Sequence, residues 1–242
     1  MPIMTTEAGV TGAWYLEHVT RLLTWLSPSY PVGGYTYSHG IEYAVETGRV
    51  RDLGSLVTWI DAALSRGAGW TDAVLFVAAS RAVRAGDEAA LEWAAERADV
   101  MRGSSELALE SAAQGTAFLR TVRASWAPEG LERWNAVLDR TGRPPAHAVA
   151  VAIATTCAGM PSDLALCAFL HGFAANLVSA GVRLVPLGQT DGQRAVALLD
   201  TILHRVSTKA HEASLEDLGS AAPVIDWAAM SHETQYTRLF RS

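Results

Sequence analysis

Cysteine is scarce: the 242 residues include two, Cys157 and Cys167, ten positions apart and without a C-x-x-C neighbour. That usage argues against a disulfide scaffold and fits reduced thiols in a bacterial-type cytoplasm. Basic charge is not in excess either, since 25 acidic residues face 19 basic ones, the net charge is −6, and no long basic block occurs. A surface that tracks nucleic-acid phosphates therefore has little support. Met1 to Trp14 lacks the basic stretch and apolar run of an export signal, so a cytoplasmic protein is expected. Two stretches carry no formal charge, Arg143 to Asp163 and Asp163 to Arg183, and each approaches the length of a membrane span. The first contains Pro144, Pro145 and His147 among alanines and threonines, and the second contains His171 and Asn176. Both are weakly hydrophobic for lipid and read as buried central helices, with no membrane contact expected. Phosphate-binding loops are missing as well. There is no G-x-x-x-x-G-K-[ST], and Gly33-Gly34 does not open a G-x-G-x-x-G pattern, so a nucleotide in the function would be bound by another protein.

Alternating β-branched runs are nearly absent, and Val182 to Leu187 is too short to build a sheet. What remains is a helical pattern in a chain that is 50% apolar, enough for a substantial core. Leu53, Leu56, Val57, Ile60 and Leu64 share one helical face, with Asp52 as N-cap. Leu16, Val19, Leu22, Leu23 and Leu26 form a similar stripe that stops before Pro28. Further helices are predicted around residues 71–85, 87–101, 105–124, 130–141, 146–158, 162–180 and 191–209, separated by glycine and proline. Thr190 and Gln193 have capping-box spacing, which predicts the start of the last strong helix. The expectation is an all-α fold: a single domain of about nine or ten helices over residues 14–222, preceded by a leader at 1–13 and followed by a tail at 223–242.

Two segments stand out from this background. Ser27 to Glu42 is punctuated by Pro28, Pro31, Gly33 and Gly34 and carries Tyr30, Tyr35 and Tyr37. Fixed φ at the prolines and wide freedom at the glycines give these rings a shaped mount, suited to binding or to closing a core at a helix junction. The tail after Pro223 mixes Trp227, Tyr236, Leu239 and Phe240 with Arg238 and Arg241, a composition enriched in interfaces and also compatible with a frayed terminus.

Catalytic and metal signatures are near misses. Thr36-Tyr37-Ser38-His39-Gly40 has threonine where a nucleophile elbow needs glycine and lacks a preceding strand, so a hydrolase centred on Ser38 is an alternative only. Ser38 reads better as a cap for the helix that follows it. His39 reads as a donor to a partner or as a surface residue, and Glu42 with Glu46 as a solvated helix start. Cys167 and His171, four apart on one helix, are the residues a nickel metallochaperone would use, but further donors are not nearby in sequence. His204 and His211, seven apart, are a weaker pair.

Pro31-Val32-Gly33-Gly34-Tyr35-Thr36-Tyr37-Ser38-His39-Gly40-Ile41-Glu42 with Gly48-Arg49-Val50, then Arg183-Leu184-Val185-Pro186-Leu187-Gly188-Gln189 with Gln193, and Tyr236-Thr237-Arg238-Leu239-Phe240-Arg241-Ser242 occur in that order. In these three motifs the chain resembles the urease accessory protein UreF family, from about Leu22 to Ser242. The resemblance implies an all-α, dimeric scaffold rather than an enzyme, holding no cofactor or metal of its own. It further implies a bridge between a UreD (UreH) partner and the GTPase UreG during nickel delivery to apo-urease. On that similarity Tyr236, Arg238, Leu239, Phe240 and Arg241 are expected to contact the UreD-type partner. Tyr35, Tyr37, Ser38, His39, Glu42, Arg183 and Gln189 are expected in a partner-binding or dimer surface. Modulation of GTP hydrolysis is a further implication, for which Arg183 or Arg49 is the arginine to consider.

Overall fold

Asp52 caps the helix predicted from the leucine stripe: the Ser55 amide donates to its carboxylate at 2.8 Å while the Asp52 amide donates to the Ser55 hydroxyl at 3.1 Å. This reciprocal bond, led by the backbone amide of Ser55, holds the Asp52 carboxyl below the usual carboxylate range. The helix it starts, Leu53–Arg66, buries Leu56, Ile60 and Leu64 along the predicted face. In the computed structural model, which describes residues 8–242, it is the third of eleven α-helices: α1 (Ala8–Trp25), α2 (Ile41–Glu46), α3 (Leu53–Arg66), α4 (Ala68–Ala85), α5 (Glu88–Val100), α6 (Ser105–Ser125), α7 (Leu131–Arg140), α8 (His147–Cys157), α9 (Ser162–Leu184), α10 (Gln189–Glu212) and α11 (Pro223–His232). Two 3-10 turns, Gly34–Thr36 and Leu215–Asp217, complete the set, and no strand occurs among the described residues. The all-α reading holds, with two short helices beyond those individually placed from periodicity.

The two uncharged stretches occupy the centre. Ala148 to Thr155 of α8 are all buried, wrapped by α4, α6 and α9, so α8 is apolar all round because every face meets protein. α9 is long and apolar enough to cross a membrane by length and composition alone, yet it sets Ala165, Leu166, Phe169, Leu170, Leu177 and Val178 into the same core. α10 lies along α9 and also touches α3 and α4, while α5 joins α4 to α7 and α11 sits on α2 and α6. Each fully buried Leu, Ile or Phe in this core contributes about 1.5–3 kcal/mol.

Small residues set how closely the helices approach. At Gly115 of α6 a Cβ would stand 2.0 Å from the Pro145 carbonyl oxygen at the entry to α8, so this crossing admits hydrogen alone.

Several expectations are corrected. Thr190 and Gln193 form no capping box: α10 starts at Gln189 after Gly188, without a side-chain cap, so Thr190 is already inside the first turn. Gln189 itself is the exposed first residue of that helix. Residues 182–184 continue α9, which ends where Val185 turns extended before Pro186. The segment expected as a tail from 223 opens with α11, its Pro223 at a position where the missing N–H costs nothing. Of the leader expected at 1–13, residues from Ala8 onward are helical and the rest lie outside the described residues.

Gly115→Ala is expected to destabilise the protein by about 1–3 kcal/mol through overpacking. Gly54→Ala, where a Cβ meets nothing closer than 3.7 Å, should be neutral or stabilising. Urea titrations of the two variants read the difference.

Candidate functional site

The tyrosine loop, the start of α6, the end of α9 and the segment after α11 converge on three carboxylates. Glu42 stands on α2 and is 7% exposed, and Glu110 on α6 is 5% exposed, with Glu106 one turn before it. Glu42 accepts three hydrogen bonds or close polar contacts from beyond residue 231: His232 Nε2 at 3.1 Å, the Leu239 amide at 2.6 Å and the Phe240 amide at 2.9 Å. Glu106 faces His232 Nδ1 at 2.7 Å and accepts from Arg238 at 2.5 Å. Glu110 meets His39 Nε2 at 3.0 Å and accepts from Gln114 at 2.8 Å and from the Ser242 hydroxyl at 3.0 Å. His232, fully buried, therefore lies between two carboxylates, one facing each ring nitrogen.

Main chain completes the junction. The amide and hydroxyl of Ser38 both donate to the backbone oxygen of Ser242, the amide at 2.6 Å, and the Arg241 amide donates to the Thr36 carbonyl at 2.8 Å. Two successive left-handed residues make this path: His39 at φ 51° and Gly40 at φ 74°. Gly40 also has to be glycine for space, because a Cβ would come 2.7 Å from the Ala229 amide nitrogen on α11. His39 carries the strained angle with a side chain, held by Glu110 and by edge contact with Phe173 at 4.9 Å.

The residues singled out from sequence fall into anchors and exposed groups. Ser38, Glu42, Tyr37 and Phe240 are buried; the Tyr37 carbonyl accepts from Asn176 at 3.3 Å. Arg183 donates to the Tyr35 carbonyl at 2.9 Å and lies over the Phe240 ring at 4.4 Å, joining the loop, α9 and the tail. Tyr35, Tyr236, Leu239 and Arg241 present their side chains to solvent. Gln189 makes no side-chain hydrogen bond to this junction among the described residues and is exposed at the start of α10. The reading of Glu42 as part of a solvated helix start is overturned, because its carboxylate is enclosed and fully used. Ser38 does face the following helix, with the Glu42 amide 3.4 Å from its hydroxyl, although Gly40 holds the N-cap position. Glu106, Glu110 and Gln114 were missed. They lie on the buried face of α6 with Leu107 and Phe118 at helical spacing, a stripe that a count of apolar residues breaks at the acids.

Neither chemical alternative gains a constellation. The buried Ser38 hydroxyl is paired with a backbone oxygen, and the adjacent His39 ring turns to Glu110. Cys167 lies 3.8 Å from His204 Nδ1 rather than pairing with His171, and its thiol is pushed up by burial, with Asp200 and Asp163 adding to the effect. His211 is occupied by the Ser207 carbonyl and the Ser162 hydroxyl. Among the described residues no group of three or more His, Cys, Asp or Glu has metal-holding geometry.

Beside the junction runs a cleft of about 640 Å³, walled by Leu22, Trp25 and Phe169 and floored by Glu110, His147 and Asp72. Asp72 pairs with Arg102 at 2.8 Å, off line for a hydrogen bond. His147 is half-buried and lines this cleft. Burial lowers its pKa to about 4, against the opposing pull of Asp72 and Glu110.

Two outcomes follow from these contacts. Glu42→Gln should release the Leu239 and Phe240 amides, which exchange with deuterium at least about tenfold faster while α8 keeps its protection. Unchanged protection of the two amides would show that Glu42 is not the anchor. For His147, an unfolded chain takes up the proton near 6.5 and the folded one near 4. Its contribution to stability is complete above the first value and is lost as pH falls toward the second. The urea midpoint of His147→Gln is therefore expected to fall less than that of the parent across this interval, and parallel curves would contradict a neutral buried ring.

The UreF family model matches residues 50–200. Across nearly the whole chain, the sequence is 47% identical over 238 residues to the urease accessory protein UreF of Rhodopseudomonas palustris strain BisB5, covering 98% of this chain and 97% of that one. It is 49% identical over 235 residues to that of strain HaA2, at 97% and 98% coverage. With the UreF of Bradyrhizobium diazoefficiens it shares 44% identity over 244 residues, at 99% and 100% coverage. Identity of this extent over chains of matching length means that the protein belongs to the UreF family.

Proposed function

We propose that the protein is a non-enzymatic scaffold in urease maturation. It links a UreD/UreH-type partner to the GTPase UreG, as a homodimer, so that nickel reaches apo-urease within the assembly. The observation that carries this reading is the division of the tail into buried anchors and exposed side chains. Phe240 and the amides of Leu239 and Phe240 fix the strap to Glu42, while Tyr236, Leu239 and Arg241 point outward from it. Aromatic, aliphatic and arginine groups on a preorganised backbone are what a protein interface uses at its centre, because ordering has been completed before the partner arrives.

The UreD/UreH-type partner is placed on this outward set. Tyr35 stands on the same junction, exposed and with its backbone tied to Arg183, which supports assigning UreG to the loop side. Arg183 has its guanidinium engaged by the Tyr35 and Ser179 carbonyls and by the Phe240 face, and Arg49 lies over the Trp227 ring. Neither is poised as an inserted arginine finger. Any effect on GTP hydrolysis is therefore assigned to positioning of UreG. Binding of the two partners is coupled because loop and tail share hydrogen bonds.

Tyr236→Ala with Leu239→Ala is expected to weaken binding to the UreD/UreH-type partner at least tenfold, about 1.4 kcal/mol. The melting temperature should stay within about 1–2 °C of the parent, since both side chains are exposed. Tyr35→Ala should reduce UreG recruitment with equally little effect on folding. Titrations by calorimetry with each purified partner test the two surfaces separately, and full affinity in the double variant would remove the tail from the interface.

A further inference from the structure

The cleft beside the junction has a polar end that neither the loop nor the tail uses. Its volume of about 640 Å³ is within the roughly 300–1,000 Å³ of ligand sites. Leu22, Trp25 and Phe169 give it apolar walls, and it is also lined by Asp72 of α4 and by Arg102 in the turn between α5 and α6. The Asp72 and Arg102 side chains are 9% and 7% exposed. Asp72 Oδ1 and Arg102 Nη2 face each other at 2.8 Å and are closed off, and Arg102 Nε donates to the Ala98 carbonyl at 2.8 Å. The other carboxylate oxygen, Oδ2, and the other terminal nitrogen, Nη1, are neither hydrogen-bonded nor closed off among the described residues. One acceptor and one donor are thus left open on a charge pair that is otherwise buried.

The surroundings of this pair add no free charge. Half-buried His147 packs edge-on against Phe118 and Phe169, with ring centroids 5.9 and 5.5 Å away, and its ring nitrogens make no hydrogen bond among the described residues. Burial keeps this imidazole neutral down to a pKa of about 4. Glu110 is already satisfied by His39, Gln114 and Ser242.

That balance selects the occupant. Asp72 and Arg102 cancel one another, so a ligand with net charge would enter an apolar cleft uncompensated. A carboxylate head would meet Asp72 as a like charge, and an ammonium head would meet Arg102 in the same way. A carboxamide avoids both, because its carbonyl oxygen accepts from Nη1 while its N–H donates to Oδ2. An aryl body attached to it gains from burial against the Leu22, Trp25 and Phe169 walls.

We propose that this cleft binds a small neutral carboxamide with an apolar aryl body, its head held by Asp72 and Arg102 and its ring by Leu22, Trp25 and Phe169. The site rests on none of the contacts assigned to the urease partners.

Calorimetric titration of the full chain with phenylacetamide, phenylacetate and phenethylamine tests the charge argument. Saturable binding of the amide is expected, with the acid and the amine each at least about tenfold weaker. Nuclear Overhauser contacts from the bound amide to the rings of Trp25 and Phe169 should locate it in the parent protein. Asp72→Asn leaves Arg102 unbalanced and should reverse the order, so that the acid binds more tightly than the amide. If that variant does not fold, the titrations and contacts of the parent decide alone. No saturation by the amide, an acid or amine that binds within tenfold of it, contacts to other residues only, or a folded Asp72→Asn protein that still prefers the amide would overturn the proposal.

Discussion

A single carboxylate organises the junction of the tyrosine loop and the tail. Glu42 is taken out of water and enclosed by two donating amides and a histidine nitrogen, and all three come from a segment about 190 to 200 residues further along the chain. A buried charge with that many partners is worth keeping only while every partner is present, because each one lost leaves desolvation uncompensated. The tail is therefore held all along its length or not at all. Glu110 repeats the arrangement with His39, Gln114 and Ser242, and Glu106 with His232 and Arg238, so the loop and tail form one polar network over an apolar core.

The network needs a rigid base, and the alanine-rich interior supplies it. α8 is buried on every side, and α6 approaches it at a glycine, which fixes where Glu106 and Glu110 project. α9 delivers Asn176 and Arg183 to the loop from the same core. Side chains that face solvent at the junction are thus carried by backbone whose position is set by close helix packing rather than by local loop preference.

Much of this was legible in the sequence. Apolar stripes with proline and glycine breaks located α3 to α10 within a few residues, and the absence of alternating β-branched runs excluded a sheet. The loop, Arg183 and the tail were marked by unusual composition. Their convergence was not visible, since it depends on hydrogen bonds across separations such as Ser38 to Ser242. Glu42 and Glu110 were misread or missed for one reason: an acid on a helix looks solvated until its long-range donors are known. The short helix α2 was hidden by length, since six residues give periodicity few turns to register, and α11 was covered by reading everything after Pro223 as tail. Tyr30, Tyr35 and Tyr37 show the limit of local reading, with two rings closing the core and the third left outside.

The order of the chain gives the Glu42 anchor a consequence in time. During synthesis α2 leaves the ribosome long before residues 232–242, so the nascent polypeptide carries this carboxylate hydrated while the central helices assemble around α8. Until those residues are present, the loop side of the junction lacks the amides that enclose Glu42 and has not taken its final shape.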